Sequence, residues 1–185
     1  MKYPEIFLLP VLMLADYFLT VVGRIQSEKE YSKHFKMEHY ELNPIWQKSI
    51  AGGKWFNIRH IFLVILGTLF SSILFEFGDL PYSYIQGFMG ALFTVYSVIV
   101  ARHLSNLLIF QHSIRNPDEM SGQVNMSYSM TLSISAYQCL AALFPMGIIV
   151  FFSPTPFVIG ALIGLAVLFA AHFGWLRQYK KRLKS

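Results

Sequence analysis

The sequence predicts an all-α integral membrane bundle of five transmembrane helices, and three observations carry this. The 185 residues are 55% hydrophobic and only 14% charged, whereas a soluble domain carries about 25% charged residues to keep its surface wet. Five apolar runs, 5–23, 60–77, 81–110, 127–152 and 156–176, reach the roughly 20 residues a helix needs to cross the hydrocarbon. The Lys and Arg residues then alternate across those runs as the positive-inside rule requires. Fourteen of the 15 fall on one side, in segment 24–59, at Arg102 and Arg115, and in the basic tail 177–185. The opposite connections, 76–79 and 153–155, hold none. The expected orientation is amino terminus outside and carboxyl terminus cytoplasmic.

Each element has its own signal. The first run carries Asp16, has only Lys2 ahead of it and lacks a small-x-small cleavage site before Arg24, so it reads as a retained helix and not a signal peptide. Pro81 and Pro156 stand where a first-turn proline costs nothing. Asn116-Pro117-Asp118-Glu119 predicts a helix that begins ahead of the fourth span, its acids favoured by the helix dipole. Asn43-Pro44 predicts a short helix over 45–50, stopped by Gly52-Gly53. Trp46 and Trp55 suit the headgroup level, so this helix is expected to lie along the inner membrane surface. There is no internal repeat, low-complexity stretch or flexible linker, and residues 1–185 read as a single polytopic domain.

Two sets of small residues predict close packing. Gly87, Ala91, Val95, Val98 and Arg102 share one face of the third span and turn Arg102 into the bundle. Gly160 and Gly164 predict a second close contact, either within the chain or between copies in a homo-oligomer. Cys139 is the only cysteine, which excludes an intramolecular disulfide, and it reads as an apolar filler. The hydroxyls of Ser127, Ser129, Thr131, Ser133 and Ser135 read as helix-packing groups. His172 is isolated and reads as a surface residue, with membership of the inner-side polar cluster as the alternative, and His34, His39 and His112 have no evident partners.

Ionisable groups inside apolar spans hold the functional information, since each costs about 2.5–3.5 kcal/mol at a helix centre. The topology sets Asp16 and Thr20 of span one, Arg59 and His60 of span two, and Arg102, His103 and Asn106 of span three at one depth near the inner boundary. Asp16 is expected to pair with Arg102. The plain alternative is that Arg102 snorkels to the headgroups while Asp16 and Thr20 fasten helices together. Glu41-Leu42-Asn43-Pro44 lies on the same side. Either Asn43 caps a helix with Glu41 solvated, or the loop folds back over the polar site and contributes a carboxylate.

Asp16-Tyr17-Phe18-Leu19-Thr20 followed by Glu41-Leu42-Asn43-Pro44 resembles a group of small prokaryotic multispan membrane proteins of unknown function. These carry Asp-x-x-x-Thr on the first helix and Glu-x-Asn-Pro soon after. The resemblance covers about the first quarter of the chain, and segment 24–40 is longer and more charged than in that group. It implies that Asp16, Thr20, Glu41 and Asn43 act together, and it implies a plasma-membrane location; the group lends no activity.

Asp16, Glu41, His60 and His103 are competent metal ligands, but no pair has metal-ligand spacing, and Arg59 and Arg102 would repel a cation. An anionic group, such as a lipid phosphate or a carboxylate, suits the pocket better. No motif asks for a cofactor. Three functions fit: binding or transport of a small anion, proton or lipid headgroup; catalysis on a lipid-linked substrate at the inner interface; or a non-catalytic subunit of a membrane assembly. The basic tail should attract anionic inner-leaflet lipids, and its charge is no sign of nucleic-acid binding.

Overall fold

The long apolar runs become single helices in the computed structural model, which describes residues 4–77 and 80–184. A 3-10 turn, Pro4–Phe7, leads into α1 (Leu8–Ser27). The charged segment that follows holds α2 (Tyr31–His34), β1 (Phe35–Met37) and α3 (Gln47–Ala51). Next come α4 (Ile58–Phe77), α5 (Tyr82–Arg115), a 3-10 turn at Pro117–Glu119 and β2 (Val124–Met126). The chain then forms α6 (Tyr128–Phe152) and α7 (Pro156–Arg182). Helices α1, α4, α5, α6 and α7 are each long and apolar enough to cross a membrane. Gly78 and Asp79, in the connection expected between the second and third spans, lie outside the described residues.

Local chemistry accounts for the helix ends. Thr155 accepts from the Val158 N–H at 3.3 Å, with Pro156 at the first helical position of α7. Ser127 caps α6 in the same way through Met130. The Asn43 carbonyl accepts from the Trp46 and Gln47 N–H groups, so the short helix expected over 45–50 is regular only from Gln47 onward. Gly53, at φ +62°, turns the chain away beyond its end.

One sequence expectation needs correction here. Asn116–Glu119 makes one 3-10 turn and starts no longer helix, because Gly122 at φ +75° redirects the chain into β2. The fold class is all-helical as expected, with one addition: β1 and β2 pair in parallel, Phe35 against Val124 and Met37 against Met126, in a small two-stranded sheet.

At 34 residues, α5 is about 50 Å long, well beyond a hydrocarbon core of about 30 Å. It packs most extensively on α7 and α1, and α6 packs on α7. α4 packs chiefly on α1 and the opening 3-10 turn. The α5–α7 contact brings backbone onto backbone, because Gly87 lies against Gly160, Gly90 against Phe157 and Ala91 against Gly164. A Cβ at Gly160 would overlap the Gly87 carbonyl. Both sets of small residues are thus used within one chain, and self-association through Gly160 and Gly164 would have to displace α5.

Candidate functional site

The site begins with a polar side chain that α1 cannot satisfy alone. Asp16 and Thr20 lie one turn apart on the face of α1 that meets α5. The Thr20 hydroxyl donates to the Asp16 backbone carbonyl at 2.7 Å, which leaves its lone pairs to accept. Those lone pairs meet His103 Nε2 at 3.1 Å, and Asp16 Oδ1 lies 3.2 Å from the same nitrogen. Both partners accept, so Nε2 carries the hydrogen. The other ring nitrogen, His103 Nδ1, is buried with no hydrogen-bond partner among the described residues. The Asp16 and His103 side chains are 23% and 21% exposed, so the pair is reachable at one edge and otherwise enclosed by helices.

Asp16 therefore pairs with His103 and not with Arg102 as expected. Adjacent residues on a helix point about 100° apart. The face that carries Gly87 and Ala91 meets α7, and Arg102 follows it, acting electrostatically on Cys139 of α6 and His172 of α7. His103 is the residue turned to α1. Placing Arg102 inside the bundle was sound, but the helices it faces carry no acid at that level.

The second carboxylate comes from outside the helices. Residues 35–43 form a strap that β1–β2 pairing and three side-chain contacts hold across the Lys/Arg-rich end of the bundle. Glu38 accepts from the Tyr128 N–H at 2.9 Å and from the Tyr179 hydroxyl at 3.2 Å. The N–H at the start of α6 keeps the Glu38 carboxyl below the ordinary glutamate range. Tyr128 donates its hydroxyl to the Leu42 carbonyl at 2.6 Å, and Leu42 packs on Tyr128, Leu132 and Leu176. Tyr40 drives its hydroxyl against Gly23 of α1, and burial raises that hydroxyl's pKa.

Between these anchors sits Glu41, which accepts from the Asn43 N–H at 2.7 Å. It interacts favourably with His103 and unfavourably with Asp16, and Arg102 also feels its charge. Burial pushes its carboxyl from 4.5 up to about 7. The strap also forms one wall of a cavity of about 360 Å³, lined by Arg24, Lys36, Glu38, Tyr40, Glu41 and Gln47 among others. Glu41 is thus the residue shared by that cavity and the helix-embedded pair. Of the two sequence readings of this loop, Asn43 follows the first, bonding the Ile45 N–H through Oδ1 at 3.0 Å as a turn-starting residue, while Glu41 is half-buried in the wall of that cavity and not freely solvated.

The remaining residues assigned to the site do not join it. His60 is buried on α4, where its Nε2 donates to the Met13 carbonyl at 3.0 Å and its ring stacks on Tyr17 at 4.7 Å. Arg59 and Asn106 are exposed. Among the described residues, no group of three His, Cys, Asp or Glu could hold a metal ion. His172, expected at the surface, is buried, and its Nδ1 donates to the Leu168 carbonyl at 2.8 Å. Tyr40 and Tyr96 were missed as well; Tyr96, two turns before His103 on α5, feels the Asp16 charge. Its spacing of seven from His103 was a signal the sequence offered.

No family model, curated protein or solved structure matches this chain.

Proposed function

We propose that this is an integral membrane protein, amino terminus outside and carboxyl terminus cytoplasmic, whose polar site near the cytoplasmic face binds and exchanges a proton. The observation that carries this reading is the Asp16–His103 pair at 3.2 Å inside apolar helices, with the second imidazole nitrogen buried and unpartnered among the described residues. Carboxylates and histidines in that setting are the groups from which proton relays are built. Of the ligands that fit the sequence, an anion is disfavoured by two carboxylates, Asp16 and Glu41, at one site. A proton uses both. On this reading His103 accepts at Nδ1, Asp16 stabilises the imidazolium that forms, and Glu41 exchanges with water in the neighbouring cavity.

Purified protein in liposomes loaded with a pH-sensitive dye, with potassium and valinomycin clamping the voltage, measures this directly. After an imposed pH step the parent should relax the gradient faster than Asp16→Asn or His103→Ala by about tenfold, the rate equivalent of some 1.4 kcal/mol of barrier. Equal rates in well-folded variants would sink the proposal. Orientation is tested apart from function. In a Cys139→Ser background, a membrane-impermeant thiol reagent should label Lys2→Cys from outside the cell. Labelling only from inside would reverse or remove a span.

A further inference from the structure

A second cavity, of about 430 Å³, opens between α1 and the beginning of α4. That is within the range of about 300–1,000 Å³ typical of small-molecule sites. Its walls are apolar and aromatic: Leu14, Phe18 and Val21 from α1, Trp55 and Phe56 from the segment before α4, and Ile61 from α4. Hydrogen bonds make it preformed. Tyr17 donates its hydroxyl to the Lys54 carbonyl at 2.8 Å, tying the rim to α1. Asn57 donates to Ser49 Oγ at 2.7 Å and accepts from the Arg59 N–H at 3.0 Å. His60, bonded to Met13 and stacked on Tyr17, makes a rigid polar wall.

The surroundings identify the occupant. Trp55 and Phe56 are 60% and 68% exposed at the mouth, which suits the zone where acyl chains meet headgroups. Lys54 and Arg59 flank those residues in the chain, both are exposed, and among the described residues neither has an ion pair. An aromatic cleft whose Trp55–Asn57 wall is flanked in the chain by two exposed cations matches one ligand chemistry. We propose that this cleft binds an anionic phospholipid of the leaflet on the Lys/Arg-rich side, its acyl chain between Phe18 and Trp55 and its phosphate at Lys54 and Arg59. The site is separate from the Asp16–His103 pair, so either can fail without the other.

Native mass spectrometry of the full chain in detergent, titrated with phosphatidylglycerol or with phosphatidylcholine of the same acyl chains, tests the assignment. The parent should retain one phosphatidylglycerol in preference to phosphatidylcholine. Lys54→Gln with Arg59→Gln should cut that retention by about thirtyfold, the combined effect of two interfacial charges. Lys180→Gln with Lys181→Gln, which removes two tail charges, should leave it unchanged. Ala15, on α1, also lines the cleft, and Ala15→Phe, which fills it, should abolish retention of both lipids. Equal retention of the two lipids by the parent, equal loss in the tail variant, or preferential capture of a neutral amphiphile would overturn the proposal. The exposed rim residues do not bear on folding, so their double variant decides the matter even if Ala15→Phe misfolds.

Discussion

Gly160→Leu is expected to lower the thermal midpoint of the purified protein by about 2–12 °C, whereas Gly174→Ala on the same helix leaves it unchanged or raises it slightly. The two glycines differ in what surrounds them. A side chain at Gly160 would run into the Gly87 carbonyl, so α7 must move away from α5 and lose the neighbouring Phe157–Gly90 and Gly164–Ala91 contacts. Overpacking of this kind costs about 1–3 kcal/mol, and each kcal/mol shifts the midpoint of a chain this long by about 2–4 °C. Apart from its chain neighbours and its own helix backbone, no atom of the described residues lies within 4 Å of a Cβ built on Gly174. Alanine there only removes backbone freedom from the unfolded chain, for a gain of about 0.5–1 kcal/mol. Thermal melts followed by tryptophan fluorescence decide the question, and equal shifts would mean that α5 and α7 do not approach this closely.

The second large effect concerns Glu41 and depends on pH. Its carboxyl rises from 4.5 to about 7 on folding, so between those values the folded chain holds a proton that the unfolded chain has released. Stability from this group is therefore fully present below about pH 4.5 and is lost as the pH climbs to 7. Glu41→Gln keeps the neutral shape and removes the titration. The melting midpoint of the parent minus that of Glu41→Gln should fall between pH 5 and 7 and be flat above pH 8. The full shift corresponds to at most about 3 kcal/mol. A difference that does not change with pH would mean that Glu41 sits in water and the strap does not cover the site.

Much of the scaffold was legible in the sequence because the bilayer's demands are local. A span has to be apolar along its whole length and must satisfy its own backbone, so hydropathy alone located α1, α4, α5, α6 and α7 to within a few residues. The short segments were harder to read. β1 and β2 are three residues each and lie almost ninety positions apart, and neither has a pattern that could announce the other. Gly122 carried the only local hint that the stretch after Glu119 would turn away from a helix.

The candidate site divides along the same line. Asp16, Thr20 and His103 stood out in the sequence as polar residues expected at one level, because the expected topology sets how far along its span each residue lies. Azimuth does not follow from depth. Whether Asp16 meets Arg102 or its neighbour His103 depends on one step of about 100° around α5, and the packing of α5 on α7 settles that step. The burial of His172 and the exposure of Arg59 and Asn106 are likewise properties of helix rotation.

By itself the sequence determined five long apolar helices, their approximate ends, and the few polar residues that share a level, since composition and period are written along the chain. Only the tertiary structure decided which of those residues touch, that Glu41 is drawn in by the strap, and that Gly160 meets Gly87 within one chain. Contacts between distant segments depend on how helices rotate and cross, and that is set by packing all of them at once.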